Sequence, residues 1–161
     1  SAKHARVKDG LQQDETTTFP GEMSPQQRFA IKEVSRLGRE GRWQEALDLF
    51  AQSPDRTLAL HTAAMDACAK SLQLAAARQL FEGAARGTRP AYNIMIFLLG
   101  RLRRTAEAEE LVGEMRAACV MPNVTTFGSL ISAYGQAGEA EAVTRVLDDM
   151  RAAGGEANAV V

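Results

Sequence analysis

Cysteine, histidine and long apolar runs are scarce in this chain, and each shortage closes off a class of function. Its 161 residues hold two cysteines, Cys68 and Cys119, which is too few for a disulfide framework. Cys68 falls on an apolar helix face, where a small core residue is expected. The two histidines, His4 and His61, form no metal-ligand pattern with these cysteines. No apolar run reaches the roughly 18 residues that a membrane span needs. No glycine-rich loop that cradles phosphate occurs; Gly38, Gly41, Gly83 and Gly87 read as punctuation between helices. Charge of one sign is missing as well. The net charge of −1 and pI near 6.1 exclude a strongly basic nucleic-acid binder, though not a locally basic groove. These absences predict a protein that is not an enzyme, with no cofactor, no metal, no membrane span and no small-molecule substrate.

What the chain does have is a register. Phe50, Phe81, Val112 and Leu147 lie 31, 31 and 35 residues apart, and their neighbours recur in step. Four residues before each stands Ala46, Ala77, Ala108 or Val143; immediately before each, Leu49, Leu80, Leu111 or Val146. Twelve before comes a small residue: Gly38, Ala69, Gly100 or Gly135. A fixed period of this size means stacked supersecondary units, which present a surface rather than enclose a catalytic pocket.

The pattern divides the chain further. Residues 1–23 carry Lys3, Arg6 and Lys8 and then a polar run without sustained apolar period, which reads as a flexible or extended arm. Order is expected from Ser24-Pro25-Gln26-Gln27, where serine caps, proline suits the first helical position and Gln27 returns a bond to the cap. A first helix to about Arg39, with Val34 and Leu37 inward, pairs with one from Trp43 to about Gln52. Leu58–Lys70 pairs with Leu72–Ala85, Met65 and Cys68 facing the core. Ala91–Leu102 pairs with Thr105–Ala118, with Ile96, Leu99, Leu111, Val112 and Met115 on the inner faces. Thr125–Gln136 pairs with Glu139–Ala153, and Gly154-Gly155 is expected to end it. No segment alternates as a strand does. Trp43 and Phe50 are expected as core anchors, and Glu107, Glu109, Glu110 and Glu114 as a solvated face. The fold class is therefore all-α, a right-handed α-solenoid of about four helix-turn-helix repeats over 24–158, and residues 159–161 read as the start of a truncated fifth.

The fourth unit carries the most specific string. Pro122-Asn123-Val124-Thr125-Thr126-Phe127-Gly128, continuing to Tyr134-Gly135-Gln136-Ala137-Gly138 and then Val146-Leu147-Asp148-Asp149-Met150, closely resembles a pentatricopeptide repeat (PPR). The third unit agrees through Ala91-Tyr92-Asn93-Ile94-Met95-Ile96, and the first through Trp43-Gln44-Glu45-Ala46-Leu47. Aligned so, the repeats run over 27–57, 58–88, 89–123 and 124–158, two of 31 residues and two of 35.

The resemblance implies a concave face, made by the first helix of each unit, that reads single-stranded RNA at about one base per repeat. In the family, base choice depends on a motif's fifth and last residues. Here the fifth are Ile31, Thr62, Asn93 and Gly128, and the last are Thr57, Thr88, Asn123 and Asn158. Asn93 with Asn123 is the complete pair, of a kind associated with a pyrimidine, and Thr62 and Asn158 are further base-reading candidates. The apolar second residue that clamps a base in the family is poorly met by Arg28, Ala59, Pro90 and Thr125. At the thirteenth place, Arg39, Lys70 and Arg101 are implied phosphate contacts, although basic residues also gather at helix C-termini through the helix dipole. Three such contacts on a single strand predict a log–log salt slope of about −2. His61 is a possible stacking partner or an ordinary polar surface residue. The zinc-deaminase signature, His-x-Glu with a later Cys-x-x-Cys, is absent from this stretch.

Two functions follow. The first is RNA binding in organellar RNA processing, stability or translation, the mitochondrial or plastid location being implied by the family alone. The second is a scaffold that contacts protein subunits of an organellar assembly such as a ribosome or a respiratory or photosynthetic complex.

Overall fold

The structure is a computed structural model that describes residues 21–158; most of the expected N-terminal arm and the whole of 159–161 lie outside these. Among the described residues there are eight α-helices and no strand. They are α1 (Pro25–Arg39), α2 (Trp43–Gln52), α3 (Leu58–Lys70), α4 (Leu74–Leu80), α5 (Arg89–Arg101), α6 (Thr105–Ala117), α7 (Val124–Ala137) and α8 (Ala140–Asn158). A π-helical turn, Phe81–Ala85, prolongs α4. Two expectations need correction. Leu72 does not begin α4, because its backbone is left-handed (φ 57°) and closes the preceding turn. Nor do Gly154 and Gly155 end α8, which continues to Asn158; without a left-handed residue and a capping bond, two glycines weaken a helix but do not stop it.

Starts and turns follow a repeated local chemistry. Ser24 and Gln27 cap α1 reciprocally, with the Gln27 N–H donating to Ser24 Oγ (3.1 Å) and the Ser24 N–H to Gln27 Oε1 (2.8 Å). Thr57 accepts the Leu60 N–H at 3.2 Å in front of α3, and Asn123 with Thr126 repeats the reciprocal cap at α7. At the end of each first helix one left-handed residue reverses the chain: Gly41, Leu72, Arg103 and Gly138. The residue after it donates back to the helix, as Arg42 to the Leu37 carbonyl, Gln73 to Cys68, Arg104 to Leu99 and Glu139 to Tyr134, all at 2.9 Å. This satisfies carbonyls left open by the last turn and fixes the angle of the second helix. The left-handed residues stand 31, 31 and 35 apart, the same register as the core markers.

The first helices form one layer, α1 against α3, α3 against α5 and α5 against α7, and each second helix lies on the outer side of its own pair. Glycine sets the spacing at two seams. A Cβ on Gly38 would lie 2.7 Å from Ala67 Cβ, and one on Gly100 2.8 Å from Ala133 Cβ, so neither seam can close around a larger residue. Gly135, at the same place in the last unit, has open space instead. Val34, Leu37, Met65, Cys68, Ile96, Leu99, Leu111, Val112 and Met115 are all buried, as expected. Burial also pushes the Cys68 thiol up to about 11, so it stays protonated and inert. Phe50 is buried and Trp43 packs partly against the core. His61, half-buried, packs against this seam. Its ring meets Phe50 edge-on at 4.7 Å, just as Tyr92 meets Phe81 at 5.2 Å one unit later. It stands at the place that the buried Tyr92 holds in the next unit but is only half-buried, so it is more than an ordinary surface residue.

Candidate nucleic-acid interface

An inner helix has its second helix on one side, so the opposite side faces the groove. In α1 the buried residues are Ala30, Val34, Leu37 and Gly38. At 3.6 residues per turn, Arg28, Lys32, Ser35 and Arg39 fall within about 60° of one another on the far side. These are the second, sixth, ninth and thirteenth places of the repeat. The same places bring Phe97 and Arg101 of α5 opposite Thr125, Ser129, Ser132 and Gln136 of α7 around one shallow cavity of about 280 Å³. In α3 they are Ala59, Ala63, Asp66 and Lys70.

The charges along this stripe are uneven in a way that decides their use. Arg28, Lys32 and Arg39 are exposed, and among the described residues none has an acidic partner. Arg101 has only the Phe97 ring, its guanidinium 5.8 Å from the centroid. Lys70, by contrast, is paired with Asp66 at 2.5 Å. Of the three expected phosphate contacts, Arg39 and Arg101 are thus available and Lys70 is half-neutralised. The sequence reading missed Arg28 and Lys32. Their spacing with Arg39, four, seven and eleven residues, was the signal, but it identifies a groove only once the buried side of α1 is known.

Acidic residues gather on the other layer. Helix α6 carries Glu107, Glu109, Glu110 and Glu114, and α8 carries Glu141, Asp148 and Asp149. The run on α6 is more than a solvated face: Glu107 pairs with Arg78 and Arg104, Glu109 with Arg145, and Glu114 with Arg86. Arginines around the free end of the first unit are likewise engaged, Arg36 by Glu33 and Glu40, Arg42 by Glu40 and Glu45. Hydrogen bonds from Arg36 to Glu33 and from Arg42 to Glu45 hold those carboxyls below the usual carboxylate range. Among the described residues, seven of the eleven cations off the stripe are paired with a carboxylate, whereas of the five on it only Lys70 is.

The expected base-reading residues divide as sharply. Asn93 Nδ2 donates to Asn123 Oδ1 at 3.1 Å across the α5–α7 seam. Thr126, completely buried, donates its hydroxyl to Asn93 Oδ1 and accepts the Asn123 N–H at 3.1 Å. The two amides are thereby locked side by side, each with unused hydrogen-bonding capacity: a second N–H on Asn93 and both N–H groups of Asn123. Thr62 is not brought into such a pair; its hydroxyl donates back to the Leu58 carbonyl at 2.9 Å. Asn158 ends α8, and its side chain lies outside the described residues.

A family model described as the PPR repeat matches residues 34–55, 90–120 and 125–155, more than half of the chain in all. The chain belongs to the pentatricopeptide repeat family. No curated protein matches it in sequence. The PPR matches fall on the first, third and fourth units, and the second unit shares their geometry through its cap at Thr57 and its left-handed turn at Leu72. PPR units typically bind RNA, and the resemblance in the fifth and last residues now has a geometric counterpart in the Asn93–Asn123 pair.

Proposed function

We propose that the groove made by α1, α3, α5 and α7 binds single-stranded RNA, its backbone gripped mainly along α1 and one base read by Asn93 and Asn123. The observation that carries this reading is the segregation of charge: Arg28, Lys32, Arg39 and Arg101 remain unpaired by acid on the inner stripe of a chain whose net charge is −1. A near-neutral protein whose free cations are concentrated along one groove attracts a polyanion there more than elsewhere. Four phosphate contacts on a single strand give a log–log salt slope of about −3. Service in organellar RNA processing, stability or translation, in a mitochondrion or plastid, extends the same reading on the strength of the family.

A protein-binding scaffold is the second reading, favoured by one observation: Met121 and Val124, 59% and 77% exposed, form an apolar edge beside the groove. The test is the triple variant Arg28→Glu, Lys32→Glu, Arg39→Glu, titrated with single-stranded RNA by fluorescence anisotropy. Lost binding with unchanged helicity is the expected result. Affinity equal to that of the unaltered chain would remove the groove assignment and leave the scaffold.

A further inference from the structure

The cavity between α5 and α7 has a feature that the base-reading pair does not use. Phe97 lines it, 39% exposed, at the ninth place of the inner stripe, where the other units have Ser35, Asp66 and Ser132. Opposite it stands Gly128, where a Cβ would meet nothing within 4 Å. Gly128 occupies the fifth place of its repeat and has no group with which to read a base edge. We infer that this unit holds its nucleotide by stacking instead: a nucleobase lies on the Phe97 ring in the space left by Gly128, and Arg101 turns from the ring to the adjoining phosphate.

The inference rests on the RNA-binding reading and adds to it the mode of contact at one step. At about 280 Å³ the cavity lies just under the roughly 300–1,000 Å³ of pockets that take drug-sized ligands, a size suited to a single base. The cation now over the ring marks a face that a flat partner can reach, and an exposed cation–π contact is weaker than base stacking. Four of the six α7 residues on the far wall are polar, Thr125, Ser129, Ser132 and Gln136, and they are partly engaged within their own helix. Ser129 donates to the Thr125 carbonyl at 3.0 Å, and Gln136 Nε2 donates to Ser132 Oγ at 3.3 Å, leaving the Ser132 hydroxyl hydrogen and Gln136 Oε1 free. Such a wall tolerates any base. Selection then follows stacking strength, and the larger purine rings are favoured.

The experiment compares the unaltered chain with Phe97→Ala and Phe97→Trp, each titrated with oligoadenylate, oligouridylate and an abasic ribose-phosphate strand of equal length. Because Phe97 is partly exposed, neither change threatens the fold, and thermal melts verify this. Phe97→Ala is expected to weaken oligoadenylate about tenfold, oligouridylate less and the abasic strand not at all, with Phe97→Trp restoring or exceeding the original affinity. Equal losses on all three strands would make the ring a structural element and overturn the inference. So would unchanged affinity for all three, provided that the Arg28, Lys32, Arg39 triple variant still loses binding. Should that triple variant also bind normally, the RNA reading itself falls.

Discussion

On the proposed reading, the two ends of the groove suit different parts of a nucleotide. Helix α1 offers Arg28, Lys32 and Arg39 and no polar reader, since its fifth residue is Ile31. Helices α5 and α7 offer Asn93, Asn123 and Phe97 with a single free cation, Arg101. Between them α3 contributes little to either task, with Ala59, Ala63, an internally bonded Thr62 and a Lys70 tied to Asp66. Affinity and selectivity are thus separable along one surface. Cations supply binding that is indifferent to sequence, while amides and rings discriminate.

The separation can be broken most strongly at the cationic end. Replacing Arg28, Lys32 and Arg39 by Gln removes three of four phosphate contacts, which lowers affinity about 100-fold at moderate salt and flattens the salt slope from about −3 to about −1. Base preference survives the change. A salt titration with two homopolymers checks both statements at once. At the other end, Gly100→Ala places a methyl 2.8 Å from Ala133 and is expected to cost about 1–3 kcal/mol of stability in a denaturant melt. Gly135→Ala is the control: with open space around it, the same change stabilises α7 by about 0.5–1 kcal/mol. Asn93→Ala should cost about tenfold in affinity for a strand with its preferred base, and nothing once that base is absent. A uniform loss would mean that Asn93 is not a reader. The smallest effect is expected at the turns. Arg103 holds a left-handed backbone without being glycine, so Arg103→Gly raises stability by no more than about 1 kcal/mol in a thermal melt, and leaves RNA affinity unchanged because Arg103 lies off the inner stripe.

Much of this was legible before any coordinates. The periodic Phe50, Phe81 and Val112, the small residues at Gly38 and Gly100, and the cap at Ser24 are local signals, and the cap at Asn123, just as local, was not read. Helices read locally because their bonds and caps lie within a few residues of one another. Asn93 and Asn123, matched across 30 residues by the repeat register, meet through a hydrogen bond, a contact that no single segment announces. The misses have different causes. Whether Arg28 and Lys32 face the groove and whether His61 packs inward depend on which side of a helix meets its neighbour, whereas the Asp66–Lys70 pair, four residues apart on one helix, was a local signal that was overlooked. Gly154 and Gly155 misled for the opposite reason, as composition was taken for a stop that needs a left-handed turn.

One feature of the packing has a mechanical side. No Cα of α2 lies within 8 Å of one in α4, nor of α4 in α6, nor of α6 in α8. Inner helices touch along their backbones, at Gly38–Ala67 and Gly100–Ala133, whereas the outer ones are linked through long exposed side chains such as Arg78 to Glu107 and Arg145 to Glu109. Exposed ion pairs of this kind are weak and screened by salt. The two edges of the solenoid are therefore held differently: backbone contact fixes the spacing of the inner helices, while each outer helix is held by packing on inner helices and, from α4 to α8, by screened ion pairs to its outer neighbour, so salt acts on the outer edge first.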